Sequence, residues 1–566
     1  MAKAEASVEE LVGMIERGEL RLPEMQRRFV WRSTRVRDLL DSLYRGYPSG
    51  AILLWETNEI VPLQDFPVTQ QPNPYNSTRL LLDGQQRLTS LSAVIRGIPV
   101  SVRGRRRPIE LLFNLEHPDE LAVVTEVNEE EENEDEDLIE DETDSTEDEL
   151  QKRFNKMTFV VTTHKLEQLP QWVKVTDVFK TDEDAPFLQK AGIEKVNDPR
   201  YKKYSQRLAK LRSVRKYIYR MDILERSLSY DEVTEIFVRV NSLGAKLRSS
   251  DLALAQITAK WRNSLKVFQE FQNKCSKLGF ELDLGLLLKN LVVFATGQSR
   301  FLTVGNLSLE TLQRNWKISC EGMEFALNFL KANVGIDSPT LLSSPFIIIT
   351  LAYYAYLNNY NIKSEESRLL GYWVLIGNAK GRYSRGSSET ILDQDLTTLK
   401  QNEGVQALIE RLRSQVGLLN ISSAELEGRN QRSALFKTMF LAFQKAGAHD
   451  WRSNLKISLD HSGAQHRLQF HHIFPKAILK GKYSTREADD ISNLCFISGR
   501  TNRQISDKIP IEYFPELINN SGLKTFEAQC IPITKELLNI GNYKEFLKER
   551  RKQIAIRLND FLESKK

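Results

Sequence analysis

From Glu126 to Glu149 the chain carries sixteen carboxylates and neither Lys nor Arg. Like charge at that density repels itself and has no apolar period to bury, so this stretch cannot join a packed core. It reads as a disordered, solvated insertion at 126–149, and the segments on either side must fold with each other across it. A DNA-mimicking autoinhibitory segment is the functional alternative.

The same run hides a charge imbalance. With it the formal charge is +4; without it, 79 Lys and Arg face 75 less 16 acidic residues, and the charge becomes +20. So basic a body suits a polyanion, because phosphate contacts supply most non-specific nucleic-acid affinity; charge for solubility alone is the equal alternative.

Several classes are disfavoured. Cys275, Cys320, Cys495 and Cys530 lie far apart with no CxxC pair, which argues against a disulfide framework or a cysteine-rich zinc module and fits a reducing cytoplasm. The charged start, MAKAEASVEELVGMIERGEL, reads as a helix rather than a secretion signal. PFIIITLAYYAYL (345–357) is shorter than the ~20 residues needed to span a bilayer and reads as a buried core helix, so no membrane partner is expected.

At 566 residues, of which 41% are hydrophobic, several separate cores are expected. The pattern is multidomain α+β. Residues 1–258 mix strand and helix signals, including a long charged helix from Tyr201 to Arg220; residues 259–437 have mainly helical spacing; residues 438–566 hold a histidine cluster and the basic amphipathic helix YKEFLKERRKQIAIRLNDFLES.

Three polar clusters stand on apolar frames. In LLLDGQQRLTSL a strand ends at Asp83, Gly84 permits a sharp turn, and Gln85, Gln86 and Arg87 stand at the mouth of the next helix. Helix N-termini favour anions, the Arg87 fork suits phosphate, and an Asp83 carboxylate suits magnesium or a ribose hydroxyl. A plain strand-turn-helix corner is the competing reading. PEMQRRFVW brings Gln26 and Arg27, and FVRVNSLGAKL brings Arg239, Asn241 and Gly244.

In the order QR-x-x-x-W, YPSG, DGQQR, F-x-R-x-N-x-x-G, these segments resemble the N-terminal domain of the GmrSD type IV, modification-dependent restriction endonucleases. The resemblance implies a ParB/sulfiredoxin-like α/β domain that binds and hydrolyses a nucleoside triphosphate, GTP or ATP, through Asp83, Gly84, Gln85, Gln86 and Arg87 with Gln26, Arg27, Asn241 and Gly244. A homo-oligomer is compatible with it.

Five of the seven histidines, His449, His461, His466, His471 and His472, share one short window. FHHIFPKA followed by DISNLCFISGRTNRQISDK resembles an HNH, or ββα-metal, nuclease, with His471-His472, then Asn493, then Asn502. In that likeness His472 is the general base, since imidazole titrates near cellular pH. His471 and Asn502 hold a divalent metal, and Asn493 orients the His472 loop. The first position of the pair is more often acidic; imidazole there admits Mn2+, Ni2+ or Zn2+ beside Mg2+. His461 and His466 are further ligands, DNA contacts or plain loop histidines. GRYSRGSSETILDQDL (381–396) also fits the family pattern, offering Arg382 and Tyr383 as nucleic-acid contacts or as packing residues.

The expected function is therefore a cytoplasmic anti-phage restriction enzyme, in which nucleotide at the N-terminal domain regulates cleavage of modified DNA. Glucosylated hydroxymethylcytosine and phosphorothioate are targets among such enzymes. The alternative is a nucleotide-responsive DNA-binding regulator with an inactive HNH-like module.

Overall fold

The computed structural model describes residues 1–566 other than 27–28, 30, 32, 69, 72–77, 98–108, 120–153, 244–247, 464 and 566. The acidic run at 126–149 thus lies outside the described residues, as do Arg27 and Gly244. The chain divides into two compact units, Met1–Val267 and Phe268–Lys566.

In the first unit, β1 (Ala2–Ser7), β2 (Leu20–Pro23), β3 (Ile52–Thr57), β4 (Leu63–Gln64), β5 (Thr78–Asp83) and β9 (Ile218–Leu224) form one mixed sheet in the order β1-β9-β3-β5-β2-β4. β5 runs parallel to β2 and antiparallel to β3. Side chains alternate across this sheet with the two-residue period of a strand. Leu80 and Leu82 face Met25, Trp55 and Phe237, while Leu81 faces the opposite core with Leu54 and Leu88. The second core also takes Leu11, Leu40 and Leu91 from the helices Val8–Glu16, Ser33–Arg45 and Gln85–Arg96, so both sheet faces are covered by helices. Each such leucine contributes about 1.5–3 kcal/mol by leaving water.

A smaller antiparallel sheet, β7-β6-β8, is built from β6 (Leu111–Asn114), β7 (Phe159–Val161) and β8 (Trp172–Lys174). It includes strands from both sides of the acidic run, which is how the two flanks fold together.

Two local expectations are corrected. The helix starting at Tyr201 stops at Arg212, and Ile218–Leu224 is a strand rather than a continuing helix. Pairing with β1 on one side and β3 on the other outweighs the helical spacing there. Residues 2–7 are likewise strand, and the helix begins only at Val8, where Ser7 and Glu10 form a reciprocal cap.

The second unit is helical from Leu284 to Lys445 among the described residues. Its central helix, Phe346–Leu357, is buried as expected, and no described helix is long and apolar enough to cross a membrane. Arg382 and Tyr383 do not face nucleic acid. Both are buried, Arg382 pairing with Asp395 at 2.6 Å and donating to Gln415, Tyr383 donating to Asp395 at 2.7 Å. These bonds fasten the segment after the helix Ser364–Ala379 to the helix Ser388–Lys400. Beyond the helices, β10 (Leu468–His472) and β11 (Leu494–Ser498) pair antiparallel, with His471 opposite Cys495 and His472 opposite Leu494. The short helix Gly499–Ile505 follows at once, capped by Ser498.

Candidate active site

The β10-β11-helix corner brings together all four residues expected there. Strand alternation turns His471 inward and leaves His472 partly exposed. His471 Nδ1 lies 2.7 Å from Asn502 Oδ1 on the following helix. Asn502 Nδ2 donates to Gln469 Oε1 at 2.9 Å, which turns the amide oxygen toward the ring. His471 Nδ1–H is therefore the donor, and its Nε2 is a buried lone pair with no hydrogen-bond partner among the described residues. Burial pushes the His471 imidazole down to about 4, against the hydrogen bond with Asn502, so the ring is neutral at cellular pH.

Asn493 ends a short 3-10 turn just before β11 and is fully buried. Its amide accepts from Phe474 N at 2.9 Å and donates to Phe474 O and Ala488 O, each at 3.0 Å. Ile473 N donates to Asn493 O at 2.8 Å. The chain after His472 is thereby held at three points by one residue, whose fourth bond reaches Ala488 O.

Several supporting groups were not legible in the motif. Asp450, twenty residues upstream of Phe470, accepts from Ser498 N at 2.6 Å and Thr501 Oγ1 at 2.9 Å, fixing the start of the helix that carries Asn502. Burial opposes its charge, yet these bonds and those from Ser453 hold its carboxyl below the ordinary range. Asp489 sits 3.1 Å from His472 Nε2, and Lys476 Nζ lies 2.7 Å from the same carboxylate oxygen. The only sequence signal for Asp489 is its place four residues before Asn493. His461 and His466 lie in the loop before β10, and among the described residues no group of three or more His, Cys, Asp or Glu is placed to hold a metal ion.

The donor set at His471 and Asn502 fits a divalent cation, with a neutral imidazole and an amide oxygen side by side. Were a divalent cation bound here, His471 and Asn502 would be the residues to hold it, and it would supply neutralisation of negative charge on a phosphate.

The DGQQR corner is arranged differently. Gly84 has φ of 101°, a backbone conformation that side-chain-bearing residues rarely adopt, so the tight turn demands glycine. Arg87 donates to Ser49 O at 2.5 Å, to Ala51 O at 2.7 Å and to Asp83 Oδ2 at 2.9 Å. Its fork bolts the YPSG turn to the end of β5, and a Cβ on Gly50 would lie 2.6 Å from Arg87 Nη1. Gln26 is buried and donates to Leu81 O and Leu82 O, tying the end of β2 to β5. Asn241 is also buried and donates to Phe237 O at 2.8 Å, on a helix that packs through Phe237 near Met25 and Leu82. Arg239 is exposed and pairs with Glu235. Toward a ligand the corner presents the Asp83 carboxylate, nearly half exposed, Gln86, partly exposed and donating to Gln85 Oε1 at 3.4 Å, and Gln85, buried at the helix mouth with Nε2 unpartnered among the described residues.

Residues 8–258 match the family model of the GmrSD restriction endonuclease, N-terminal domain. The match supports a GmrSD-type N-terminal domain and spans every position of the DGQQR corner, from Gln26 to Gly244. The histidine corner lies outside it and rests on its own geometry. Over nearly its full length the chain is also similar to the uncharacterized protein MJ0686 of Methanocaldococcus jannaschii, with 25% identity across 94% of this chain and 90% of that protein.

Proposed function

We propose that this protein is a cytoplasmic, nucleotide-regulated and divalent-metal-dependent HNH endonuclease that cleaves modified foreign DNA in the manner of a type IV restriction enzyme. In this reading residues 1–258 form a ParB/sulfiredoxin-like nucleotide domain, 259–437 a helical domain and 438–566 the nuclease domain. The observation that carries the nuclease assignment is the 2.7 Å approach of His471 to Asn502 on a ββα frame whose His472 loop is held by Asn493. The GmrSD match supports the restriction class and DNA as substrate.

His472 takes a proton from a water beside the phosphorus, as a partly exposed imidazole at the strand end can. Asn493 keeps that ring in place by fixing Phe474. His471 and Asn502 would hold the divalent cation, which when bound neutralises charge on the scissile phosphate. At the other corner, Asp83 and the helix mouth at Gln85 take the nucleotide, while Arg87 and Gln26 keep the strand end and turn in register.

The binding-only regulator draws support from one observation, that the site offers a cation two protein donors and neither is acidic. Cleavage decides between the two. Plain, glucosylated and phosphorothioated DNA are incubated with the protein and Mg2+ or Mn2+, with and without GTP or ATP. One modified substrate is expected to be cut in preference, with dependence on one nucleotide that Asp83→Ala removes. Absence of cleavage in every arm would favour the regulator, and full nucleotide hydrolysis by Asp83→Ala would remove the N-terminal site.

A further inference from the structure

The carboxylate nearest the His472 ring belongs to Asp489, a residue to which neither the motif spacing nor the family match assigns a task. His472 Nε2 and Asp489 Oδ1 are 3.1 Å apart, and Lys476 Nζ reaches the same oxygen at 2.7 Å. Burial works against ionisation of Asp489, but the bonds from His472 and Lys476 prevail and hold its carboxyl below the usual range. An ionised carboxylate only accepts, so the ring nitrogen facing it carries the proton. Nδ1 is then the basic nitrogen, and no hydrogen bond engages it among the described residues.

The loop that delivers Asp489 is built, not incidental. Ser484 and Glu487 close the turn before it with reciprocal bonds, and Asp489 N donates to Thr485 O at 2.9 Å. Tyr543 OH donates to Glu487 O at 2.7 Å from the C-terminal helix. Most tellingly, the Asn493 amide bonds both Phe474 and Ala488. One buried side chain therefore joins the residue two beyond His472 to the residue just before Asp489, and so sets the distance between ring and carboxylate.

We propose that Asp489 is the positioning residue of His472, holding the imidazole as the Nε2–H tautomer with the Nδ1 lone pair presented to the attacking water. The inference rests on the nuclease reading above. In the step it serves, a water O–H bond breaks and its proton passes to Nδ1. The oxygen bonds to phosphorus as the P–O3′ bond breaks, and the departing 3′ oxygen takes a proton from solvent water. Asp489 stays ionised throughout and faces the imidazolium that forms, the arrangement by which a buried carboxylate serves a general-base histidine elsewhere.

The test uses the full-length protein with supercoiled plasmid DNA and Mn2+, comparing wild type, Asp489→Asn, Asp489→Ala, Asp489→Glu and His472→Ala. Asp489→Asn and Asp489→Ala are expected to lower kcat by on the order of 100-fold with KM for DNA unchanged, and Asp489→Glu to recover part of the loss. Specific 15N labelling of the seven histidines, with His472→Ala to assign the signal, is expected to show Nε2 protonated in the wild type and that preference lost in Asp489→Ala. A wild-type kcat in the Asn and Ala variants, or a change confined to KM, would overturn the inference, as would an unchanged ring spectrum. Equal cleavage by wild type and His472→Ala, or none by either, would instead bring down the nuclease reading, and the ring spectrum would still decide whether Asp489 governs His472.

Discussion

His117 in the first unit and His471 in the second are both buried imidazoles that burial has pushed down to about 4. Their partners separate them. His117 donates from Nδ1 to Pro118 O at 2.8 Å and accepts at Nε2 from Tyr44 OH at 3.0 Å, with Phe113 packed at its edge. Every polar atom of that ring is satisfied. His471 satisfies only Nδ1, through an asparagine amide, and leaves Nε2 buried without a partner. A shifted titration alone therefore does not mark a site. The marks of His471 are the unpartnered Nε2 on one side of the ring and the Asn502 amide oxygen against Nδ1 on the other.

The titration of both rings has its largest consequence in the pH dependence of stability. Each ring is neutral in the folded state and binds protons more readily unfolded, so the unfolded state holds more protons between about pH 4 and 6.5 and stability rises with pH across that window. Each shift is worth up to about 3 kcal/mol. Thermal unfolding from pH 4 to 7 should thus steepen in the wild type and flatten in both His117→Gln and His471→Gln; an unchanged slope in either would show that its ring is not the buried neutral group described.

A smaller effect sharpens the difference between the two rings. Mn2+ at tenfold excess over its dissociation constant should stabilise the wild type and His117→Gln by about 1.4 kcal/mol, seen as a rise in Tm, and should leave His471→Ala unmoved. Equal shifts in all three would separate the cation from His471. Smallest of all, Tyr44→Phe removes one donor from His117 and should cost about 1 kcal/mol in denaturant unfolding, without altering DNA cleavage.

Much of the corner geometry was legible because it is local. LLLDG followed by QQR announces a strand, a turn only glycine can make, and a helix, and those elements are present at Thr78–Asp83, Gly84 and Gln85–Arg96. The nine-residue step from Asn493 to Asn502 likewise spans one short strand and one helical turn. What could not be read were partners set by tertiary contact. Arg87 suits phosphate by its chemistry, yet three of its bonds go to Ser49, Ala51 and Asp83. Arg382 and Tyr383 have the residue types of a nucleic-acid surface, yet the buried Asp395 claims both. Asp450 and Asp489 have no motif of their own; only the fold brings them to Ser498 and His472. At Ile218–Leu224 the pairing of β9 with two neighbours decided between strand and helix, information that no local window holds.

In the proposed function the His471-His472 corner cleaves phosphodiesters with His472 as base. Wild type and His472→Ala are compared on supercoiled DNA with Mn2+ and nucleotide, with nucleotide hydrolysis followed in parallel. His472→Ala is expected to lose cleavage by roughly 100-fold or more and to keep its nucleotide turnover. Cleavage by His472→Ala at the wild-type rate would contradict it.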